Sequence, residues 1–135
     1  MDVLSLSTEE DLIVVRRAVR ELAKRLGFSL VDQTRLITAA SELARNILLY
    51  AKCGEMTLEQ IAADGRVGIR LSFQDHGPGI ANTDQAMRNG YTTSGGLGLG
   101  LPGSKRLVDE FALHTEVGKG TTVTIVKWRE GQALG

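Results

Sequence analysis

The sequence predicts an α/β (α+β) fold, a two-layer sandwich of a mixed, mainly antiparallel sheet covered on one face by helices. Three observations carry this reading. Two long early segments place apolar residues at helical spacing, and two later runs of strand character flank an Asp-Gly pair. The order of elements also lacks the strand, helix, strand alternation of a doubly wound parallel sheet.

A length of 135 residues with 42% hydrophobic content fills one core, so a single domain is expected over 1–130 with a disordered tail at 131–135. Sixteen basic and 16 acidic residues cancel, leaving no global field to draw the chain to nucleic acid or an anionic membrane. Partners must be selected by a local surface. Aromatic content of 4% argues against a stacking platform for single strands. Cys53 is the only cysteine, which excludes an internal disulfide, and no signal peptide or membrane-length apolar run is present. The expectation is a cytoplasmic protein with neither nucleic-acid nor membrane partners.

Residues 2–6 read as a short edge strand. Ser7 or Thr8 then caps a helix whose first turn is acidic (Glu9, Glu10, Asp11) and which Gly27 ends. Leu12, Val15, Val19, Leu22 and Leu26 form its apolar stripe, and Arg16, Arg20 and Lys24 occupy another, solvated face. A second helix over about 31–52 buries Leu36, Ala40, Leu43 and Ile47. Glu42 and Asn46 lie one turn apart on another strip of that helix. Such a pair is often ordinary surface polarity.

Runs at about 55–63 and 66–75 form a hairpin through Asp64-Gly65. In the second run Val67, Ile69, Leu71 and Phe73 alternate with Gly68, Arg70, Ser72 and Gln74, so Asp75 shares the apolar face. A carboxylate aimed inward needs a partner, either a ligand or the backbone amides of the Gly77–Gly79 turn. A short helix is expected at 82–89, a polar lid from Gly90 to Gly96, and a helix from Pro102 to about Phe111 with Leu107, Val108 and Phe111 inward. That helix start would set Gly98 and Gly100 where amides favour phosphate. Two strands, about 111–117 and 121–129, close the fold around Gly118-Lys119-Gly120.

Several chemistries fail on context. Gly98-Leu-Gly100-Leu-Pro-Gly103 satisfies G-x-G-x-x-G, but Thr92–Gly96 before it is not a strand. There is no Walker loop, no H-R-D or D-F-G pair and no nucleophile elbow. His76, His114 and Cys53 lack metal-ligand spacing, so His76 reads as a loop residue and His114 as surface.

Four motifs in register remain: Glu42-Leu43-Ala44-Arg45-Asn46, Asp75-x-Gly77-x-Gly79, Gly96-Leu97-Gly98-Leu99-Gly100-Leu101 and Gly118-x-Gly120-Thr121. Their order and spacing resemble the gyrase, Hsp90, histidine-kinase and MutL (GHKL) superfamily of ATP-binding domains, over about residues 8–129. Glu-Leu-Ala-Arg-Asn, Asp-x-Gly-Pro-Gly-Ile, Thr-Ser-Gly-Gly-Leu-Gly and Gly-Leu-Pro-Gly-x-Lys-Arg-Leu are also similar to the serine/threonine switch kinases of bacterial stressosome pathways. The resemblance implies the Bergerat ATP-binding fold, with ATP and Mg²⁺ as cofactors. By it, Asn46 is the metal ligand, Asp75 accepts from the adenine amine, and Gly77, Gly79 and Ile80 lie against the base. Gly95, Gly96, Leu97, Gly98, Leu99 and Gly100 would wrap the phosphates, Lys105 would reach them, and Thr121 or Thr122 would sit near adenine. Glu42 would be the general base.

Histidine kinases carry a phosphoaccepting histidine on an upstream helical hairpin, and gyrase, Hsp90 and MutL carry transducer domains; neither is expected here. The resemblance therefore implies a kinase that phosphorylates STAS-domain antagonist and scaffold proteins and then binds and activates a PP2C-type phosphatase. An anti-sigma factor that sequesters a sigma factor is the alternative. A homodimer is compatible with either.

Overall fold

A computed structural model describes residues 1–77 and 101–129. Five strands, β1 (Asp2–Leu6), β2 (Gly54–Ala63), β3 (Arg66–Asp75), β4 (Glu110–Glu116) and β5 (Gly120–Trp128), form one sheet in the order β1-β2-β3-β5-β4. All of its pairings are antiparallel, so among the described residues the sheet is wholly, rather than mainly, antiparallel. Helices α1 (Glu10–Arg25), α2 (Leu30–Tyr50) and α3 (Leu101–Leu107) complete the described elements.

The apolar stripes meet as expected. Leu12, Val15, Val19 and Leu22 of α1 and Leu36, Ala40, Leu43 and Ile47 of α2 are buried with Leu6, Met56, Leu58, Ile69, Leu71, Phe73, Val123 and Ile125 of the sheet. Each large side chain so buried contributes about 1.5–3 kcal/mol. No described helix is long and apolar enough to cross a membrane.

Local chemistry explains the boundaries. Gly27 stops α1 at φ +83°. The amide of Phe28 donates to Ala23 O at 2.9 Å and that of Gly27 to Lys24 O at 3.1 Å, the paired bonds of a Schellman end. Ser29 caps α2 by accepting from the Asp32 amide at 3.1 Å. Asp64 and Gly65 both have positive φ, 53° and 76°, as a two-residue type I′ hairpin requires.

Three expectations need correction. Neither Ser7 nor Thr8 caps α1; instead Asp11 Oδ2 reaches back to accept from the amides of Ser7 at 2.9 Å and Thr8 at 3.0 Å. An ionised carboxylate in the first turn is a stronger acceptor than a hydroxyl, and the bonds from Ser7 and then Thr8 lower the Asp11 pKa. Arg16 is not solvated like the other basic residues of α1: it is half-buried, and its Nε donates to Ser41 Oγ on α2 at 3.0 Å. Finally, α3 ends at Leu107 rather than near Phe111. The Asp109 amide donates to Val126 O at 2.9 Å and its carboxylate accepts from the Trp128 amide at 2.7 Å, so the chain is captured by β5 and Phe111 enters the sheet. Phe111 still packs on the core.

Candidate functional site

The residues singled out on α2 lie on its solvent side. Glu42 and Asn46 stand one turn apart, about 6 Å along the axis, and Leu43 between them is buried. Glu42 is 43% exposed and its Oε1 accepts from Arg45 Nη1 at 3.1 Å. Asn46 is half-buried. Its neighbour in sequence, Ile47, points into the core and toward the end of β3.

That end of β3 carries Asp75, half-buried as its parity with Phe73 and Leu71 predicts. Its Oδ1 accepts from the amide of Gly77 at 2.9 Å and from the amide of Thr121 at 3.2 Å. The turn-capping role weighed from sequence is therefore real, and a second strand shares it. Among the described residues no hydrogen bond is made to Oδ2, so one oxygen of an inward carboxylate keeps its acceptor capacity.

Three glycines make this packing work, and one of them, Gly54, escaped the sequence reading. A Cβ on Gly54 would overlap the carbonyl oxygen of Gln74 and lie 2.9 Å from Ile47 Cγ2 and 3.2 Å from Asp75 Cβ. Gly54 thus lets the turn of α2 that follows Asn46 come against Asp75. A Cβ on Gly120, at φ +127°, would overlap the Asp75 carbonyl. Gly77 is tight for a related reason: its Cβ would meet Ala51 Cβ at 2.7 Å. Gly54 follows a helix end, where a glycine reads as simple punctuation, and Gly120 stands in the Gly118-x-Gly120-Thr121 motif, which says nothing of its neighbours. Only their through-space neighbours reveal the packing role.

The two threonines part company. Thr121 sits beside Asp75 and shares a hydroxyl hydrogen bond of 2.9 Å with Thr115. Thr122 pairs across the strands with Gln74 and His114 on the opposite face of the sheet. The structure brings Thr121, not Thr122, to Asp75. His114 is exposed, as its reading as surface implies. Leu101 is 1% exposed and anchors the start of α3 in the core, whereas Lys105 is exposed. Gly79, Ile80, Gly95, Gly96, Leu97, Gly98, Leu99 and Gly100, with the helix expected at 82–89 and the lid, lie outside the described residues.

A cavity of about 240 Å³ is lined by Gln74, Asp75, His76, His114, Lys119, Thr121 and Thr122. It touches neither Glu42 nor Asn46. Among the described residues no cluster of three His, Cys, Asp or Glu side chains could hold a metal ion by itself. A cation held by these residues would need oxygens from another source.

Comparisons with known proteins converge on one family. Residues 31–131 match the model of the histidine kinase-, DNA gyrase B- and HSP90-like ATPases. The chain is 50% identical to the serine/threonine-protein kinase RsbT of Bacillus subtilis, over 90% of this chain and 91% of that one. It is 27% identical to an anti-sigma F factor of Caldanaerobacter subterraneus, over 95% and 92% of the two chains. Among solved structures, the RsbU and RsbW domains of a Mycobacterium tuberculosis protein superpose with a TM-score of 0.63 at 22% identity, covering 98% of this chain and 34% of that one. This last likeness speaks to the fold. With an antiparallel sheet under helices, an inward Asp75 and a Glu-Leu-Ala-Arg-Asn helix beside it, the chain belongs to the histidine kinase-, DNA gyrase B- and HSP90-like ATPase family, in the branch that contains RsbT.

Proposed function

We propose that residues 1–130 form one ATP-dependent serine/threonine kinase domain of a partner-switching pathway, acting on STAS-domain antagonist and scaffold proteins. The observation that carries this reading is the juxtaposition of Glu42 and Asn46 on one strip of α2 with Asp75 held against the same helix through Gly54. The 50% identity to a serine/threonine-protein kinase supports it.

In this reading the unengaged Oδ2 of Asp75 accepts a hydrogen bond from the adenine amine, with Thr121 beside it. Gly77, Gly79 and Ile80 approach the base, while Gly95, Gly96, Leu97, Gly98, Leu99, Gly100 and the exposed Lys105 serve the phosphates. Asn46 offers one hard oxygen, which suits Mg²⁺ because that ion takes few protein donors and fills its shell with phosphate oxygens and water. When bound, the ion offsets the negative charge that builds on the phosphates. Glu42 takes the proton from a partner's serine or threonine hydroxyl as that oxygen bonds to the γ-phosphorus. The bond between the γ-phosphorus and its bridging oxygen breaks, and ADP departs with the electron pair. Loss of affinity for the phosphorylated partner then frees the kinase to bind a PP2C-type phosphatase.

The test is transfer of label from γ-labelled ATP, with Mg²⁺, to the STAS-domain protein encoded nearest the gene. Wild type should label a serine or threonine, and Glu42→Ala and Asn46→Ala should each reduce the rate by about 100-fold or more. ATP binding without transfer by wild type would overturn the kinase reading. Recovery of a sigma factor in a pull-down would then favour the anti-sigma alternative, which rests on the lower identity of 27%.

A further inference from the structure

A glutamate that serves as base has several freely turning side-chain torsions, and its carboxylate is productive in only a small part of the volume it sweeps. Bases of this kind are commonly oriented by a third group. Glu42 has one such neighbour among the described residues. Arg45, one turn along α2, donates from Nη1 to Oε1 at 3.1 Å, and the two side chains are 44% and 43% exposed. The contact engages a single carboxylate oxygen, so Oε2 stays available to receive a proton. Arg16, the α1 cation that reaches α2 in the same region, is held by Ser41 Oγ at 3.0 Å.

We propose that Arg45 is a positioning residue for the phosphotransfer assigned to Glu42, fixing the carboxylate through Oε1 so that Oε2 faces the incoming hydroxyl. The proposal rests on the kinase reading. An exposed pair of this spacing adds little to stability, so its effect belongs in the turnover rate rather than in folding. The guanidinium is one residue from Asn46 but is paired with the carboxylate, so nucleotide affinity should be indifferent to it.

The test compares wild type, Arg45→Met and Arg45→Lys as full chains, measuring kcat and KM for a STAS-domain substrate, ATP affinity by calorimetry and thermal unfolding. Arg45→Met keeps the length of the side chain but lacks the donor. It should lower kcat by about 5- to 20-fold, with the Kd for ATP within about twofold and the Tm nearly unchanged. Arg45→Lys, which can still donate to Oε1, should recover most of that loss. Unchanged kcat in Arg45→Met, a rise in kcat, or a parallel loss of ATP affinity would each overturn the assignment, the last by making Arg45 a nucleotide contact. A wild type that binds ATP and transfers nothing to protein would overturn the kinase reading and the proposal with it; normal transfer by wild type with an insensitive Arg45 would overturn only the proposal.

Discussion

The two ends of α2 treat charge in opposite ways. Near the start, Asp32 has a side chain only 3% exposed, and it lies 3.6 Å from Lys127 Nζ, itself 5% exposed on β5. Lys127 also meets Asp109 Oδ1 at 3.3 Å, and Arg35 reaches Asp32 Oδ1 at 3.3 Å. Toward the other end, Glu42 is 43% exposed and among the described residues makes one ion pair, to a neighbour on its own helix. Burial of a charge is tolerated only when partners replace its water. The cluster around Lys127 meets that requirement and holds α2, β5 and the strand-entry residue Asp109 together. Among the described residues Glu42 and Asp75 keep acceptor capacity unspent, which weakens them as structure and leaves them the capacity that the proposed kinase chemistry requires.

The contrast breaks most visibly at Lys127. Lys127→Ala should destabilise the fold by about 3 kcal/mol in urea unfolding, because Asp32 stays buried with only a half-exposed arginine for company. Phosphotransfer per folded molecule should persist. A loss of activity without a loss of stability would erase the distinction between the two ends.

Asp75→Asn probes the other end. The amide oxygen still accepts from Gly77 and Thr121, so unfolding should shift little. ATP affinity should fall by about ten- to a hundred-fold, the equivalent of one hydrogen bond to a charged group, as calorimetry would show. Equal effects on stability and binding would mean that Asp75 is only a turn cap.

Gly54→Ala lies where the helix and Asp75 touch. The added methyl group has no free space, so unfolding should be easier by about 1–3 kcal/mol, with weaker ATP binding as α2 is pushed from β3. Wild-type affinity in a destabilised Gly54→Ala chain would show that the site does not depend on this contact.

The smallest effect is expected at a half-buried pair on the sheet, where Arg70 Nε donates to Glu59 Oε1 at 2.6 Å. The hydrogen bond from Arg70 lowers the Glu59 pKa. A depressed carboxyl contributes stability above its unfolded pKa and loses it as pH falls through the folded value. Glu59→Gln should therefore lower the Tm slightly at neutral pH, with the difference shrinking in acid as pH falls from the ordinary glutamate pKa through the lowered folded value. A difference that persisted in acid would assign the effect to packing.

Much of this was legible without coordinates. The hairpin at Asp64-Gly65, the apolar stripes of α1 and α2 and the inward parity of Asp75 all follow from patterns within about ten residues. The role of Asp11 was not, because its carboxylate reaches back to the Ser7 and Thr8 amides ahead of the helix, a contact that the cap pattern at those two residues does not encode. Nor was the early end of α3, which strand pairing with β5 imposed on a segment whose own pattern would continue the helix. A signal for Lys127 did exist: it shares the inward parity of Val123 and Ile125 on β5. What parity could not supply was its partner.

The sequence by itself determined the elements, the turns that join them, and the strip of α2 on which Glu42, Arg45 and Asn46 stand, since each depends on spacing along one short segment. The tertiary structure decided which segments meet. It set Gly54 under Asp75 and Ile47, drew Thr121 rather than Thr122 to Asp75, and joined Asp32 to Lys127 from opposite ends of the chain. Those choices rest on close packing and on the replacement of water around buried charge, and both depend on distance in space.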